Sequence, residues 1–189
     1  MFIDKFRHVS TKKSGIFIIS HPRSGTHLTI DLIRRNFPDL NSKKLPIEPL
    51  DSLYVNIDLL NEEVSELYRF SRIFIGLIRH KYPIIKSHLM DPNFNSLKYN
   101  QQIQRFIKFR TSTIFVIRNP FKVIPSTLTF HEFYSGRKLI GCEEYLLLAA
   151  RKWMTHTQRW IDREDVLTLR FEDIVANPAK TVAAIARYT

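Results

Sequence analysis

The sequence predicts an α/β domain with a central, mainly parallel sheet flanked by helices, built from one chain of 189 residues. Three observations carry that expectation. Short β-branched and aromatic runs at 16–19, 82–87, 112–117 and 166–171 read as buried strands. Stretches with apolar residues at helical spacing lie between them, and this alternation is the pattern of a parallel sheet with crossover helices. Hydrophobic residues make up 44% of the chain and charged residues 25%, enough apolar material for one ordinary core and too much for a disordered basic tail.

In chain order, Ile16-Phe17-Ile18-Ile19 lies between Gly15 and His21-Pro22 and reads as a buried strand. After Ser24-Gly25-Thr26, Leu28, Leu32 and Ile33 fall on one helical face until Asn36-Phe37-Pro38 stops the pattern. Residues 38–58 contain Pro38, Pro46 and Pro49 and read as a loop or irregular excursion. The stretch 61–78 is helical at its start and ambiguous at its end. Residues 82–87 form a second short strand. Ile103, Phe106 and Ile107 mark a helix over 99–109, and Ser112 to Ile117 is the clearest strand of the chain. Pro120 suits the first turn of a following helix, with Pro125 inside it. A long helix over 143–161, a last strand over 166–171 and a last helix over 178–188 complete one domain, 1–189. Aromatic residues Phe130, Phe133, Tyr134, Trp153 and Trp160 read as core more readily than as pocket lining.

The charge is strongly basic, with 29 Lys and Arg against 18 Asp and Glu, a formal +11. It is unevenly laid out: 1–44 carry nine basic and three acidic side chains, 45–68 none and six, 69–125 eleven and one. Such stretches attract polyanions of any kind, from nucleic acid to a phosphorylated small molecule. Cys142 is the single cysteine, so no intrachain disulfide forms and a reducing cytoplasm is the simplest setting. The longest apolar runs are six residues, far short of the roughly 18 that cross a bilayer, so no membrane span is expected. The seven histidines show no metal-ligand spacing with cysteine or carboxylates, and no metal is expected.

A strand, then His21-Pro22-Arg23-Ser24-Gly25-Thr26, then a helix, is an arrangement that binds phosphate. Unpaired amides at the helix start point outward, the helix dipole adds positive charge, and Gly25 lets an anion approach the main chain. Arg23 adds a fork of donors, and Ser24 and Thr26 add hydroxyls. The nucleotide-triphosphate loop G-x-x-x-x-G-K-[ST] is absent, which disfavours an ATPase or GTPase. Taken alone, the segment reads equally well as a helix N-cap after a turn.

Two further segments add weight. Lys86-Ser87-His88 ends the second strand, and Arg118-Asn119-Pro120 ends the third, with Ser126 eight residues after Arg118. Together these motifs resemble the PAPS-dependent sulfotransferases, closest in pattern to the cytosolic small-molecule type, PAPS being 3′-phosphoadenosine 5′-phosphosulfate. The family's P-K-S-G-T-T-W loop is similar to Pro22 to Leu28, its K-T-H to Lys86-Ser87-His88, and its R-N-x-x-x-x-x-x-S to Arg118, Asn119 and Ser126. The stretch from Trp153 through Phe171-Glu172-Asp173 to Asn177-Pro178 looks like the family's segment leading to Y-E-D and N-P. The matches fall in family order from about Ile16 to the C-terminus.

The resemblance implies a single P-loop-like α/β domain and sulfuryl transfer from PAPS to an acceptor hydroxyl or amine on a small molecule or glycan. It implies His88 as general base, since a neutral imidazole accepts a proton near neutral pH. Lys86 would hold the sulfonate or orient the donor, and Arg23 would stabilise charge on the bridging oxygen. The amides of 24–27, with the Ser24 and Thr26 hydroxyls beside Gly25 and His27, would hold the 5′-phosphosulfate. Arg118 and Ser126 would take the 3′-phosphate, and Leu28 and Phe171 would lie at the adenine. The sequence departs from the family at Arg23, where the loop has lysine; at Leu28, often tryptophan; and at Phe171, tyrosine. The family's C-terminal R-K-G segment has no counterpart in 1–189, so that part of the family domain is expected to be absent. Two other classes compete: a non-catalytic nucleotide- or nucleic-acid-binding module, and a P-loop kinase-like enzyme. The stretch 105–118 interleaves Phe106, Phe109 and Phe115 with Arg105, Lys108, Arg110 and Arg118, as an RNA surface would. The helical spacing up to Phe109 favours burial instead, so nucleic acid is not the expected partner.

Overall fold

The computed structural model describes residues 15–40, 53–61, 73, 76–77, 82–90, 101–136 and 143–189. Five strands form one sheet: β1 (Gly15–Ser20), β2 (Val55–Asn56), β3 (Ile84–Ser87), β4 (Thr111–Ile117) and β5 (Val166–Arg170). Their order is β2-β3-β1-β4-β5 and every pairing is parallel, as the alternating pattern foretold. Among the described residues the helices are α1 (Thr26–Asn36), α2 (Gln101–Arg110), α3 (Pro120–Ser135), α4 (Glu143–Trp160), α5 (Phe171–Ala176) and α6 (Pro178–Tyr188).

All six residues of β1 are buried because the strand lies between two others with helices over both faces. Its alternation sends Phe17 and Ile19 to one side, where they join Ile85, Ile107, Phe115 and Trp160. Ile16 and Ile18 go to the other side, against Ile30, Ile33, Ile114, Val116, Ile174 and Ile185. Each such aliphatic or aromatic side chain contributes about 1.5–3 kcal/mol on burial, so the two clusters fix the register of the sheet.

Several expectations need correction. Residues 38–58, read as irregular, contain a 3-10 turn at Pro38–Leu40 and the edge strand β2, and a second 3-10 turn follows at Ile57–Asn61. Two paired residues are too few to leave an alternating pattern, so β2 is invisible until Val55 and Asn56 meet Ile85 and Lys86. The last strand ends at Arg170, and Phe171 opens the short helix α5 instead of closing the strand. Phe133 and Tyr134 are 82% and 72% exposed at the end of α3, outside the core. Phe109 is 67% exposed, since the face of α2 that meets the sheet is carried by Ile107 and Phe106. Trp160 is core, donating Nε1–H to the Leu89 carbonyl at 3.2 Å. Of 61–78, residues 73, 76 and 77 are helical and most others lie outside the described residues, as does Cys142. No described helix is long and apolar enough to cross a membrane.

Because all strands run one way, the residues that follow them emerge on one edge. Ile19 is level with Ser87, Ser20 with Val116, and Ile117 with Arg170. The turn 21–25, His88, Arg118 and Phe171 are thereby gathered at the carboxyl ends of the strands. The connection from β1 leads to one edge of the sheet and that from β4 to the other, so their boundary is the topological switch point, the usual ligand site of such sheets.

Candidate functional site

The turn after β1 is built from unusual backbone. Arg23 has φ 68° and Gly25 φ 98°, both in the left-handed region. Glycine tolerates this freely, whereas arginine must be held there. Arg118 Nη1 donates to the Arg23 carbonyl at 3.0 Å, and Arg23 Nε donates to Ser126 Oγ at 3.1 Å. The Arg23 guanidinium also lies over Phe130, 5.2 Å from the ring centre. Helix α1 begins at Thr26, and the Thr29 amide makes the first helical bond, to Gly25 O at 3.0 Å. The amides of Thr26, His27 and Leu28 therefore precede the helical ladder and face outward. Gly25 caps α1, so Ser24 is not the capping residue; its buried hydroxyl has no hydrogen-bond partner. Thr26 is buried as well, and its hydroxyl lies 2.5 Å from that of Ser20.

Arg118 stacks its guanidinium 4.2 Å above the Phe171 ring, and that ring packs directly on Gly25. Asn119 caps α3: its side chain accepts from the Phe121 amide at 2.9 Å, with Pro120 in the first turn, and its own amide donates to Glu172 Oε1 at 3.0 Å. These contacts lock the start of α3 to α5 and set Ser126 nearly two turns further on, beside Arg23. Leu28 is 42% exposed on α1.

Lys86, Ser87 and His88 end β3. His88 Nδ1 lies 2.7 Å from the Ser20 carbonyl, which can only accept, so Nδ1 carries the proton and Nε2 keeps its lone pair. Burial first, then the Lys86 ammonium, push the His88 pKa down to about 4, with Asp58 opposing. The ring is therefore neutral at physiological pH. Asp58 holds this segment from the turn after β2: its carboxylate accepts from Lys86 Nζ at 3.0 Å, Ser87 Oγ at 2.6 Å and the His88 amide at 2.8 Å. Burial alone would raise the Asp58 carboxyl, but Lys86, His88 and these hydrogen bonds more than offset it and hold it below the usual range. Behind the site, His156 of α4 is buried with neither ring nitrogen partnered, 5.8 Å from the ring of His21. Burial, reinforced by His21 and His88, pushes its pKa down to about 3. His21 and His27 are lowered too, burial being the main cause in each.

The residues singled out from sequence thus come together at one sheet edge: Arg23, Ser24, Gly25, Thr26, His27 and Leu28 on the β1–α1 connection, Lys86 and His88 after β3, and Arg118, Ser126 and Phe171 beside them. Sequence reasoning missed Asp58, Tyr54, which is hydrogen-bonded to His27 at 3.0 Å, and the unpartnered His156. Asp58 and Tyr54 lay in the stretch read as irregular. His156 stood in the family-like segment from Trp153, without a role.

A sulfotransferase domain matches residues 13–189, and the chain belongs to that family. Solved structures share its fold at low identity. Retinol dehydratase in complex with retinol and PAP is 18% identical, with TM-score 0.58 over 95% of this chain and 60% of that one. A mouse sulfotransferase complexed with PAP is 21% identical, with TM-score 0.58 over 95% and 59%. The sulfotransferase domain from the curacin biosynthetic pathway is 16% identical, with TM-score 0.53 over 95% and 74%. The chain therefore spans about 60% of the length of the first two. Among curated proteins, none matches this sequence.

Proposed function

We propose that this protein is a PAPS-dependent sulfotransferase that moves a sulfuryl group to an acceptor hydroxyl or amine. One observation carries the reading: Arg23, Lys86 and Arg118 converge with a neutral, lone-pair-bearing His88 around an amide-lined helix start. The residues suit a doubly phosphorylated nucleotide, because the free amides of 26–28 and the unpartnered Ser24 hydroxyl offer donors to one phosphate group. Arg118 and Ser126 take the 3′-phosphate, and Phe171 and Leu28 flank the base.

The donor supplies an electrophilic sulfur whose bond to the bridging phosphate oxygen breaks as the acceptor oxygen or nitrogen bonds to sulfur. His88 Nε2 takes the acceptor proton, while the Ser20 carbonyl anchors the opposite ring nitrogen and fixes the ring's aim. Arg23 offsets the charge that gathers on the departing phosphate. Unlike a lysine it cannot give up a proton, so its part is electrostatic. A small-molecule or glycan acceptor and a cytoplasmic setting belong to the same reading.

The test is a thermal-shift comparison of adenosine 3′,5′-bisphosphate with ATP and AMP. The bisphosphate is expected to raise the melting temperature most, and Arg118→Ala to abolish its advantage over AMP. Equal shifts for all three nucleotides, or an undiminished preference in Arg118→Ala, refute the assignment.

A further inference from the structure

We infer that Asp58 is a positioning residue for the transfer reaction, fixing Lys86, Ser87 and His88 as one unit through a single carboxylate; this rests on the sulfotransferase reading above. Three consecutive residues of the β3 end each give it a hydrogen bond: an ammonium at 3.0 Å, a hydroxyl at 2.6 Å and a main-chain amide at 2.8 Å. A strand end normally leaves such groups to water. Here Ser87 is fully buried and Lys86 nearly so, so each needs a protein partner. Asp58 is itself braced, its amide donating to Asn56 Oδ1 at 3.2 Å, and the same oxygen lies 3.4 Å from Lys86 Nζ. Edge strand β2 thus exists in register with β3 at the point where it delivers this carboxylate.

Consequences follow for the chemistry. The His88 backbone is held from one side by Asp58 and its ring from the other by Ser20, so the direction of Nε2 is set by two anchors. The Asp58 charge also opposes the lowering of His88 by burial and Lys86, keeping the base more basic than its surroundings otherwise allow. Asp58 touches neither donor nor acceptor in this role; it acts through Lys86 and His88.

The experiment compares wild type with Asp58→Asn, which preserves shape and removes the charge. PAP release from PAPS, with water as acceptor, gives kcat and KM; calorimetry gives the affinity for PAP; and amide NMR follows the His88 N–H. In Asp58→Asn, kcat is expected to fall on the order of 10–100-fold, as for a base displaced by a fraction of an ångström to an ångström. KM for PAPS and PAP affinity should stay within about threefold, since the phosphate contacts lie on other elements. The His88 amide resonance should move upfield as its charged acceptor is lost. Full turnover in the variant, or a parallel loss of PAP affinity, overturns the assignment. A wild type that neither binds PAP nor consumes PAPS overturns the sulfotransferase reading instead. Because removing Asp58 leaves a buried cation unpaired, an unfolded Asp58→Asn is replaced by Lys86→Met against Lys86→Met/Asp58→Asn. An unmoved His88 amide in that pair overturns the role, and a moved one supports it.

Discussion

Gly25→Ala tests the packing that forms the turn between β1 and α1. Gly25 has φ 98°, and a Cβ there would collide with Cδ2 of Phe171 and stand 2.8 Å from its Cε2. Two costs result. Holding an alanine in the left-handed region costs about 1–2 kcal/mol. Pushing Phe171 away also disturbs its stack under Arg118, 4.2 Å from the ring centre, worth about 0.5–2 kcal/mol. Together they predict a loss of roughly 1.5–4 kcal/mol, which for a chain of this size lowers the melting temperature by roughly 3–16 °C. Differential scanning calorimetry reads the change, and a double-mutant cycle with Phe171→Ala separates its parts. In the Phe171→Ala background only the backbone strain remains, so the same substitution should cost about 1–2 kcal/mol. A Gly25→Ala protein that melts within about 2 °C of wild type, or an equal cost in both backgrounds, refutes the reasoning.

Two other outcomes are expected. His88→Ala should lower turnover of PAPS by about 10²–10⁴-fold while PAP affinity holds, as for loss of a general base; turnover near wild type removes His88 from that role. Acid stability should follow the buried imidazoles, whose folded pKa values of about 4 for His88 and about 3 for His156 lie below the ordinary 6.5. The unfolded chain then binds protons that the folded one refuses, so their contribution is complete above pH 6.5 and lost progressively as pH falls toward 4 and then 3. Urea midpoints at pH 7.5 and 5 measure it, and His156→Leu should flatten the difference; an unchanged slope in that variant contradicts the linkage.

What the sequence disclosed divides along physical lines. The strands β1 and β4 announced themselves because both faces are buried, so Ile16 to Ile19 and Ile114 to Val116 form continuous apolar runs. Arg23, Lys86, His88 and Arg118 were legible because strand ends in a parallel sheet share an edge, so motifs far apart in the chain could be assigned to one place. Asp58 was not, because its meaning depends on pairing across about thirty residues between β2 and β3, and a two-residue strand carries no period; Tyr54 was not, because its partner His27 lies on α1. Asp58 also stood among six carboxylates between residues 45 and 68, with nothing local to set it apart. Phe133 and Tyr134 misled because aromatic character alone does not say which side of a helix meets the sheet, and Phe109 because it ends a helical pattern whose buried face is carried by Phe106 and Ile107.

The formal +11 of the chain acquires a specific meaning at this edge. Bringing three cations together costs Coulomb energy, and only Lys86 has it answered by a carboxylate, Asp58. Among the described residues, Arg23 and Arg118 pair with no acidic group. Arg118 donates to the main-chain carbonyl of Arg23 itself, and Arg23 to the Ser126 hydroxyl. Neutral acceptors orient these guanidinium groups without neutralising them. A site that fixes two positive side chains through neutral partners, beside helix amides with no acceptor of their own, is organised ahead of time for a multiply charged anion. The third cation is already balanced by Asp58, so on the proposed reading it adds direction at His88 more than net attraction, with donor affinity resting on the β1–α1 and α3 side and proton transfer on the β2–β3 side.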